Sequence, residues 1–368
     1  MDHCFLVSSG KAALTLTLRV LQRANPERCE IIVPGYTCFS VPSSIVRAGL
    51  RLRPCDIDLH TLDFHMGSLA EALEGPSSRR VLAVLPVHLF GLPADVEIVR
   101  SLSPDEVWVV EDAAQGMGGL HASGKKLGTL GDVGFFSLGR GKAMSTLEGG
   151  IVLTNRSDVG REMERDMASV QPYSGTGILS LMAKTLALML FLHPRLFWLP
   201  RSLPWLRLGE TIYDPGFPVQ RMSPFQAGLA RHWKRKLERL VAVRREKARA
   251  WIEVLKEHAC SRSLIVPPAE DTNLVRLPLM APDRAFAKRL QAWSERNGMG
   301  IMPGYPFPLD RLQAPGTMPP FRPCPASEEA ADRLLTLPLH AHVRRQDMVR
   351  TAEAMGRLAT HSNAADPE

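Results

Sequence analysis

Uninterrupted runs of apolar residues alternate with amphipathic stretches over the first 160 residues of the chain. Such runs are typical of strands covered on both faces, whereas strands with one solvated face alternate apolar and polar residues. The stretches between them are compatible with helices, and this alternation favours an α/β domain with a mainly parallel sheet. The predicted strands are Glu30–Val33, Val81–Leu85, Val107–Val110, Gly134–Ser137 and Gly150–Thr154, and the predicted helices are Ala12–Arg23, Val41–Ala48, Gly67–Ala72 and Val96–Ser101.

The rest of the chain predicts a smaller α+β domain. The segment from Ser223 to about Leu255 has the pattern of one long helix, and the proline-rich stretch Pro303–Pro325 predicts an irregular loop. A strand is predicted at Asn273–Leu279, with helices at Pro282–Asn297 and Glu328–Leu335. The predicted division is a large α/β domain over residues 1–240, a C-terminal α+β domain over residues 241–360 and a tail over residues 361–368.

An apolar insert over residues 172–217 interrupts the large domain. Its most apolar part, Ile178–Leu192, is 15 residues long and contains Lys184. A helix that spans a bilayer needs about 20 apolar residues, so this segment is too short to cross one. Two interpretations stay open, a buried helix or oligomer contact, and a helix lying in the membrane interface. The membrane-interface interpretation is suggested by the flanking residues Arg195, Trp198, Arg201 and Trp205.

The composition is that of a globular protein, and its charge excess is local. Hydrophobic residues make up 45% of the 368 positions, charged residues make up 23%, and the net charge is +7. Residues 231–250 contain nine Lys or Arg against two Glu, a balance of 9 − 2 = +7, so the remainder is neutral. Because the basic residues are not spread over the chain, a nucleic-acid-binding function is disfavoured. The basic stretch is interpreted as a solvated helix face or as a patch for a membrane or an acidic partner.

The cysteines argue for a reduced compartment and against a structural metal. The six cysteines are scattered and include no CxxC pair, so we expect no zinc site or other metal site. A chain of this size without a disulfide spacing pattern is expected to keep its thiols reduced in the cytoplasm. The first residues lack a charged region followed by an apolar core, so no signal peptide is expected.

Two segments of the large domain suggest sites for charged ligands. Ser8–Leu14 is a small-residue turn that opens a helix, where free backbone N–H groups can bind a phosphate. An ordinary helix cap is the alternative. Val109–Gln115 places Asp112 at the carboxyl end of a buried strand, where a carboxylate is costly unless it meets a cation. A structural helix cap is again the alternative.

Two further segments carry a lysine and a glycine pair. Phe135–Lys142 places Lys142 in a glycine-rich loop after a strand, where it can form an imine with a carbonyl compound or remain a solvated charge. In Leu147–Thr154, the pair Gly149 and Gly150 leads into a strand and allows another backbone to approach closely.

Taken in order, these segments resemble the DegT/DnrJ/EryC1/StrS family of aminotransferases, enzymes of fold type I that depend on pyridoxal 5′-phosphate. The matching motifs are SGKAAL at 9–14, PGYTCF at 34–39, PVHLFGLPAD at 86–95, VEDAAQ at 110–115, GDVGFFSLGRGKAMSTLEGG at 131–150, RMSPFQAGL at 221–229 and LPLH at 337–340. The resemblance covers nearly the whole chain. It implies a large domain with a mainly parallel central sheet flanked by helices, plus a smaller C-terminal domain.

The resemblance also implies residue roles. Lys142 matches the lysine that holds the cofactor covalently and then moves protons, and Asp112 matches the carboxylate that keeps the ring nitrogen protonated. Gln115 matches the residue beside the 3′-oxygen of the ring, and Ala114 matches the residue packed on one ring face. The family residues that bind the phosphate group are matched here by Ser9, Gly10, Lys11 and Ser137.

The chain departs from the family pattern at several site positions. Cys38 stands where the family has an aromatic residue stacked on the cofactor, and Tyr36 or Phe39 is a candidate replacement. Lys11 replaces the usual threonine of the phosphate turn, and it either adds charge to the phosphate or points to solvent. Val219 replaces an asparagine that in the family reaches the phosphate of a neighbouring subunit.

The function implied by the resemblance is transfer of an amino group from an amino acid, expected to be glutamate, to a small-molecule keto substrate. The expected acceptor is a nucleotide- or lipid-linked keto sugar of polysaccharide or secondary-metabolite biosynthesis. Candidate substrate contacts are Tyr36, His88, Tyr305 and His340. The expected assembly is a homodimer in the cytoplasm, with peripheral membrane contact through Ile178–Trp205.

Two other functions compete with this interpretation. The first is a pyridoxal-phosphate-dependent sugar dehydratase, although family dehydratases typically have histidine where this chain has Lys142. The second is a non-catalytic, membrane-associated protein on the same fold, suggested by the apolar insert, the basic stretch and Cys38. The retained Lys142 and Asp112 argue against the second function.

Overall fold

The computed structural model describes residues 1–191, 211–258, 272–317 and 321–360. The four predicted membrane-flanking residues (Arg195, Trp198, Arg201 and Trp205) and the predicted tail 361–368 lie outside the described residues.

A mainly parallel sheet forms the centre of the large domain, as predicted. Seven strands follow the order β1-β7-β6-β5-β4-β2-β3. Neighbours from β3 to β6 are parallel, and β7 and β1 complete one edge in antiparallel pairing. The strands are β1 (His3–Val7), β2 (Glu30–Pro34), β3 (Arg51–Cys55), β4 (Val81–Val84), β5 (Trp108–Asp112), β6 (Val133–Ser137) and β7 (Gly150–Thr154).

A second, three-stranded antiparallel sheet in the order β8-β10-β9 belongs to the C-terminal part of the chain. Its strands are β8 (Leu277–Met280), β9 (Met302–Pro303) and β10 (Leu334–Leu337). The described helices are α1 (Gly10–Ala24), α2 (Ser40–Arg47), α3 (Met66–Leu73), α4 (Val96–Leu102), α5 (Ser157–Ser169), α6 (Gly175–Phe191), α7 (Pro224–Leu229), α8 (Trp233–Glu257), α9 (Arg284–Asn297), α10 (Pro325–Arg333) and α11 (Arg345–Thr360). None of them is long and apolar enough to cross a bilayer.

Helix α1 is the buried element that leads into the site. Ser9 caps it, because its hydroxyl accepts a hydrogen bond from the Ala12 N–H at 3.1 Å. Its apolar residues, including Leu14, Leu18 and Leu21, are buried. The helix packs on β6 and β7 and also contacts α2 and α5. Its first turn is therefore fixed beside the carboxyl end of β6.

Two edge strands of the large sheet were not predicted. The chain in β3 reads Arg-Leu-Arg-Pro-Cys, and in β1 exposed and partly buried positions alternate before Val7. An edge strand has fewer covered positions than a central strand, and in β3 the residues Arg51 and Arg53 interrupt the apolar run. The criterion of uninterrupted apolar residues therefore misses β3, whereas the short apolar run Cys4–Val7 of β1 was not interpreted as a strand.

Two predicted helices were wrong in their extent. The predicted single helix from Ser223 to about Leu255 is two helices, because His232 between α7 and α8 has a left-handed conformation with φ of 59°. The predicted helix Glu328–Leu335 ends at Arg333, and Leu334 begins strand β10. The apolar run of β10 is fully buried in the small sheet, and this tertiary packing overrides its helical pattern.

The predicted domain boundary between residues 240 and 241 falls inside α8, which runs from Trp233 to Glu257. This helix links the two parts of the chain. Its buried residues Trp251, Val254 and Leu255 join the same apolar core as residues of both sheets. The division into two domains stays a prediction.

Candidate active site

A cavity of about 1040 Å³ opens at the carboxyl ends of the parallel strands. Its lining comes from the first turn of α1, the segment after β2, the ends of β5 and β6, and the loop over residues 139–148. Ligands of open α/β sheets bind at this edge of the sheet. All nine residues predicted to bind the cofactor line this cavity: Ser9, Gly10, Lys11, Cys38, Asp112, Ala114, Gln115, Ser137 and Lys142.

Asp112 ends strand β5 with only 5% of its surface exposed. One carboxylate oxygen accepts a hydrogen bond from the Ala114 N–H at 2.9 Å. Burial raises the pKa of Asp112, while that hydrogen bond and the charge of Lys142 oppose the shift. A buried anion of this kind is stabilised by a cationic ligand group, so the site fits the protonated ring nitrogen of pyridoxal phosphate.

Helix α8 anchors the loop that carries Lys142. The Arg244 guanidinium donates hydrogen bonds to the Lys142 carbonyl at 3.1 Å and to the Ala143 carbonyl at 3.0 Å. Farther along the loop, the Thr146 hydroxyl donates to the Glu148 carbonyl at 2.6 Å. The two donors, Arg244 and Thr146, are not among the lining residues of the cavity, and their bonds hold the loop backbone, which leaves the Lys142 side chain for ligand chemistry.

Close backbone contacts build an anion cradle at the start of α1. A Cβ atom on Gly10 would lie 2.7 Å from the Ser137 Cβ, and one on Gly150 would lie 2.2 Å from the Ser9 carbonyl oxygen. The second contact confirms the close approach predicted for the glycine pair. The cradle brings the N-terminal N–H groups of α1 next to the Ser137 hydroxyl, an arrangement suited to a phosphate group.

Thr37 adds a hydroxyl that needs a ligand partner. Its side chain lines the cavity, and its Oγ1 atom is buried without a hydrogen-bond partner among the described residues. A buried hydroxyl without a partner is costly, and a ligand oxygen could supply that partner. The donors of the cradle and this hydroxyl therefore fit a phosphorylated cofactor.

Lys11 lines the cavity next to the cradle and is held by two neighbours. Its Nζ atom lies 3.5 Å from the Asp214 carboxylate and 4.4 Å from the centre of the Phe217 ring. These contacts keep the ammonium beside the cavity, where its charge can act on a phosphate. Of the two roles predicted for Lys11, they favour added charge for the phosphate over a side chain that points to solvent.

Gln115 connects two other parts of the cavity wall. Its side-chain oxygen accepts from the Phe90 N–H at 2.6 Å, and its amide nitrogen donates to the Tyr305 hydroxyl at 3.0 Å. Burial raises the pKa of Tyr305 well above its ordinary value, so the phenol stays protonated. The Tyr305 ring stacks near Phe90, with ring centres 6.2 Å apart. Gln115 thus positions a neutral hydroxyl on the wall.

No predicted aromatic replacement for Cys38 lines the cavity within the described part of the chain. The Phe39 ring packs on Phe307, with centres 4.6 Å apart. The Cys38 sulfur lies 3.2 Å from the hydroxyls of Ser40 and Thr211. This wall is therefore built from small polar side chains.

The four predicted substrate contacts separate into two pairs. His88 and Tyr305 line the cavity, whereas Tyr36 and His340 do not. The Tyr36 hydroxyl is occupied by the Tyr305 backbone, because it accepts from that N–H at 2.6 Å. His340 lines a separate cavity of about 290 Å³ beside Trp251.

His88 is held firmly on both ring nitrogens. Its Nε2 lies 2.7 Å from a Glu111 carboxylate oxygen, and its Nδ1 accepts from the Ala94 N–H at 2.9 Å. Burial favours a higher pKa for Glu111, but the His88 hydrogen bond and backbone N–H groups outweigh it and lower that pKa. The pair therefore supports the loop after Glu111 and leaves His88 no ring nitrogen free for a substrate.

Several cavity residues were not predicted. Arg140 and Glu148 lie inside motifs that the sequence already marks, and Lys184 is the lone charge in the apolar stretch Ile178–Leu192, a signal that could have identified it. Thr211 and Ile212 carry no local signal, since only the folding of the insert brings them to the cavity. The additional lining residues include Thr37, Ser40, Ser44, Arg140, Glu148, Lys184, Thr211 and Ile212.

Comparisons with known proteins agree with this geometry. The family model of the DegT/DnrJ/EryC1/StrS aminotransferase family matches residues 1–356. L-glutamine:2-deoxy-scyllo-inosose aminotransferase of Streptoalloteichus tenebrarius is 28% identical over 329 residues, which cover 86% of this chain and 69% of the relative.

Solved structures share the fold at low sequence identity. An aminotransferase of Helicobacter pylori involved in pseudoaminic acid biosynthesis is 18% identical, with a TM-score of 0.75 over 98% of this chain and 88% of that chain. The GDP-4-keto-6-deoxy-D-mannose-3-dehydratase of E. coli, with bound hydrated pyridoxal phosphate, is 20% identical, with a TM-score of 0.72 over 96% of this chain and 87% of that chain. The predicted family, fold class and cofactor are confirmed, and the chain belongs to the DegT/DnrJ/EryC1/StrS aminotransferase family of pyridoxal-phosphate-dependent enzymes.

Proposed function

We propose that the protein transfers an amino group from glutamate to a keto sugar. The observation that carries this proposal is the placement of Asp112 and Lys142 on one cavity beside the anion cradle of α1. Relatives whose names describe amino transfer to a keto cyclitol, as in Streptoalloteichus tenebrarius, or synthesis of GDP-perosamine, as in Caulobacter vibrioides, support the substrate class. The Caulobacter relative is 35% identical over 164 residues, which cover 44% of this chain and 42% of the relative.

When bound, pyridoxal phosphate supplies an aldehyde and an electron-accepting ring that carry the amino group between donor and acceptor. Asp112 would hold the ring nitrogen protonated, and Ala114 would pack on the ring. The first turn of α1, Ser137 and Thr37 would hold the phosphate. Lys142 would hold the cofactor covalently and then take and return a proton at its Nζ atom.

Lys142 also separates the proposed function from its two alternatives. A base that gives protons back to the substrate carbon completes amino transfer, and family dehydratases typically lack this lysine. A non-catalytic protein would have no need for a buried carboxylate facing a cavity, because an unpaired buried anion lowers stability. Asp112 and Lys142 line the same cavity, which supports amino transfer.

We also propose the assembly and location expected from the sequence. The protein would act as a homodimer in the cytoplasm, in polysaccharide or secondary-metabolite biosynthesis. It would contact the inner membrane surface through Ile178–Trp205, a range that continues beyond the described residues of α6.

The function is tested by separating the two halves of the reaction. Holoenzyme mixed with glutamate alone should lose the visible absorbance of its cofactor within seconds to minutes. A panel of nucleotide-linked keto sugars and lipophilic ketones is then added. Only the compounds that accept the amino group should restore that absorbance. Failure of glutamate, glutamine and alanine alike to bleach the cofactor would contradict the proposed function.

The anion cradle gives a further prediction. Gly10→Ala should weaken pyridoxal phosphate binding about tenfold or more, because the added Cβ forces α1 away from Ser137 at a contact of 2.7 Å. Titration of cofactor-free protein, followed by absorbance, measures the affinity. Gly228→Ala is the matched control, since a Cβ there meets nothing within 4 Å. Equal affinities for the two variants would contradict the cradle.

A further inference from the structure

Helix α6 has two faces of different character. Lys184, Ala187 and Leu188 line the cavity. At about 100° of rotation per residue, Leu179, Met182, Leu186 and Met189 lie on the opposite side of the helix. These four side chains are 66%, 48%, 60% and 71% exposed. An exposed apolar face of this extent, on a helix that forms a wall of the site, marks an interaction surface. We call it the outer face of α6, consisting of Leu179, Met182, Leu186, Met189 and Leu190.

A basic surface begins where helix α8 begins. Its residues include the exposed Trp233, with 53% of its surface accessible, and the exposed Leu240. Around them are one acidic residue, Glu238, and five exposed basic residues. Aromatic and apolar side chains among lysines and arginines are typical of helices that bind anionic membrane surfaces. The basic residues are Arg231, Lys234, Arg235, Lys236 and Arg239.

Glu148 connects the cavity side of α6 to α7, the helix that precedes the basic surface. Its carboxylate lies 3.9 Å from the Lys184 ammonium on α6, and its carbonyl accepts from the Gln226 amide on α7 at 2.9 Å. From Gln226 to Arg231 the chain advances five residues, which can span at most about 18 Å. The basic surface therefore begins close to the point where α6 is held.

The charges favour a membrane over a second copy of the chain. In a two-fold symmetric contact the same patch meets itself, so docking through this region would place two basic surfaces near each other. Like charges disfavour such a contact, whereas an anionic lipid surface satisfies both the apolar face and the basic residues. Residues 231–240 contain five basic residues and one acidic residue, a balance of 5 − 1 = +4, which concentrates the attraction there.

We propose that the outer face of α6 and the start of α8 dock the enzyme on an anionic membrane surface, from which a lipid-linked keto sugar enters the cavity. The acceptor class rests on the proposed function. The inner wall suits such a molecule, because Ala187, Leu188 and Ile212 offer an apolar path and Lys184 offers a cation for a linking phosphate. Arg140, on the loop of Lys142, lines the same cavity and adds a second cation.

Docking is tested by flotation of holoenzyme with vesicles. Wild-type protein should float with vesicles of phosphatidylcholine and phosphatidylglycerol, and much less with phosphatidylcholine alone. The double variant Leu186→Glu, Met189→Glu should lose flotation at least about tenfold, since two charges then face the lipid. The matched control Ile98→Glu, Leu120→Glu changes two exposed apolar side chains outside both surfaces and should float as wild type does.

Two outcomes overturn the docking proposal. One is equal flotation of wild type and the Leu186, Met189 variant. The other is a change of oligomeric state in that variant without vesicles, measured by light scattering, which would assign the outer face to a second copy. The donor half-reaction with glutamate should be unchanged in the variant. If wild-type protein also fails to carry out this donor half-reaction, the result counts against the proposed function and not against docking. Failure of docking and failure of the proposed function are therefore distinguishable.

The acceptor class has its own test, with geranyl diphosphate and inorganic diphosphate as probes of the holoenzyme. We expect geranyl diphosphate to bind at least about tenfold more tightly, because the apolar wall adds buried surface. Leu188→Asp should remove that advantage, and Lys184→Ala should weaken both probes. Equal binding of the two probes to wild type would overturn the lipid-linked class and favour a soluble, phosphate-linked acceptor.

Discussion

Replacement of Lys142 by alanine is expected to abolish amino transfer, with a loss of at least about 10⁴-fold in turnover. The side chain is the one amine on the loop after β6 that lines the cavity in the described structure, and its charge acts on the buried Asp112. Under the proposed function, the chain would then lose both its covalent hold on the cofactor and the group that moves protons. Stopped-flow absorbance with glutamate measures the donor half-reaction directly.

Lys142→Arg should fail as completely as alanine, because a guanidinium keeps the positive charge but neither forms the covalent bond nor gives up its proton at neutral pH. The exposed Lys126 provides the control, and Lys126→Ala should keep wild-type turnover. Circular dichroism would establish that each variant is folded. Substantial turnover in Lys142→Ala would remove this residue from the chemistry.

The second large effect is expected for Asp112→Asn, which should lower turnover by about 10²- to 10³-fold. The amide keeps an acceptor for the Ala114 N–H, so the local geometry is preserved, but it cannot stabilise a cationic ring nitrogen. The variant should still bind pyridoxal phosphate, because the cradle of α1 is untouched. Steady-state kinetics and a cofactor titration test the two halves of this prediction, with exposed Asp105→Asn as the control.

Asp112→Asn should stabilise the cofactor-free protein, although it lowers the turnover of the holoenzyme. Burial raises the pKa of Asp112, so the folded state holds its proton more tightly than the unfolded state does. The stability linked to that proton is complete at acid pH and is lost as the pH rises through the raised pKa. Asp112→Asn should therefore melt at a higher temperature than wild type near neutral pH, with a difference that shrinks toward about pH 4. A lower melting temperature at neutral pH would contradict the assigned burial cost.

The centre of the fold could be predicted because its strands are covered on both faces. The apolar runs of β4 and β5 identify strands without knowledge of their partners. Edge strand β3 could not be identified in this way, since Arg51 and Arg53 interrupt its pattern. The break between α7 and α8 was missed for another reason, because the left-handed conformation of His232 leaves no mark in the apolar periodicity.

The proximity of candidate site residues could be predicted where these residues follow strands directly. Asp112 and Ser137 end neighbouring parallel strands, so their proximity follows from the sheet itself. Lys184 and Thr211 reach the cavity only through the folding of the insert, across more than 30 residues from the Lys142 loop. The placement of Tyr36 was missed because its hydroxyl is bound by the Tyr305 backbone, a contact between residues 269 positions apart.

The central claim is that Lys142 holds the cofactor while Asp112 keeps its ring cationic. Borohydride reduction of pyridoxal-phosphate-loaded protein, followed by peptide mass mapping, tests this claim most directly. The account predicts one pyridoxyl adduct, on the peptide that contains Lys142, and none in Lys142→Ala. An adduct on Lys11 or Lys184 instead, or no adduct at all in fully loaded wild-type protein, would contradict it.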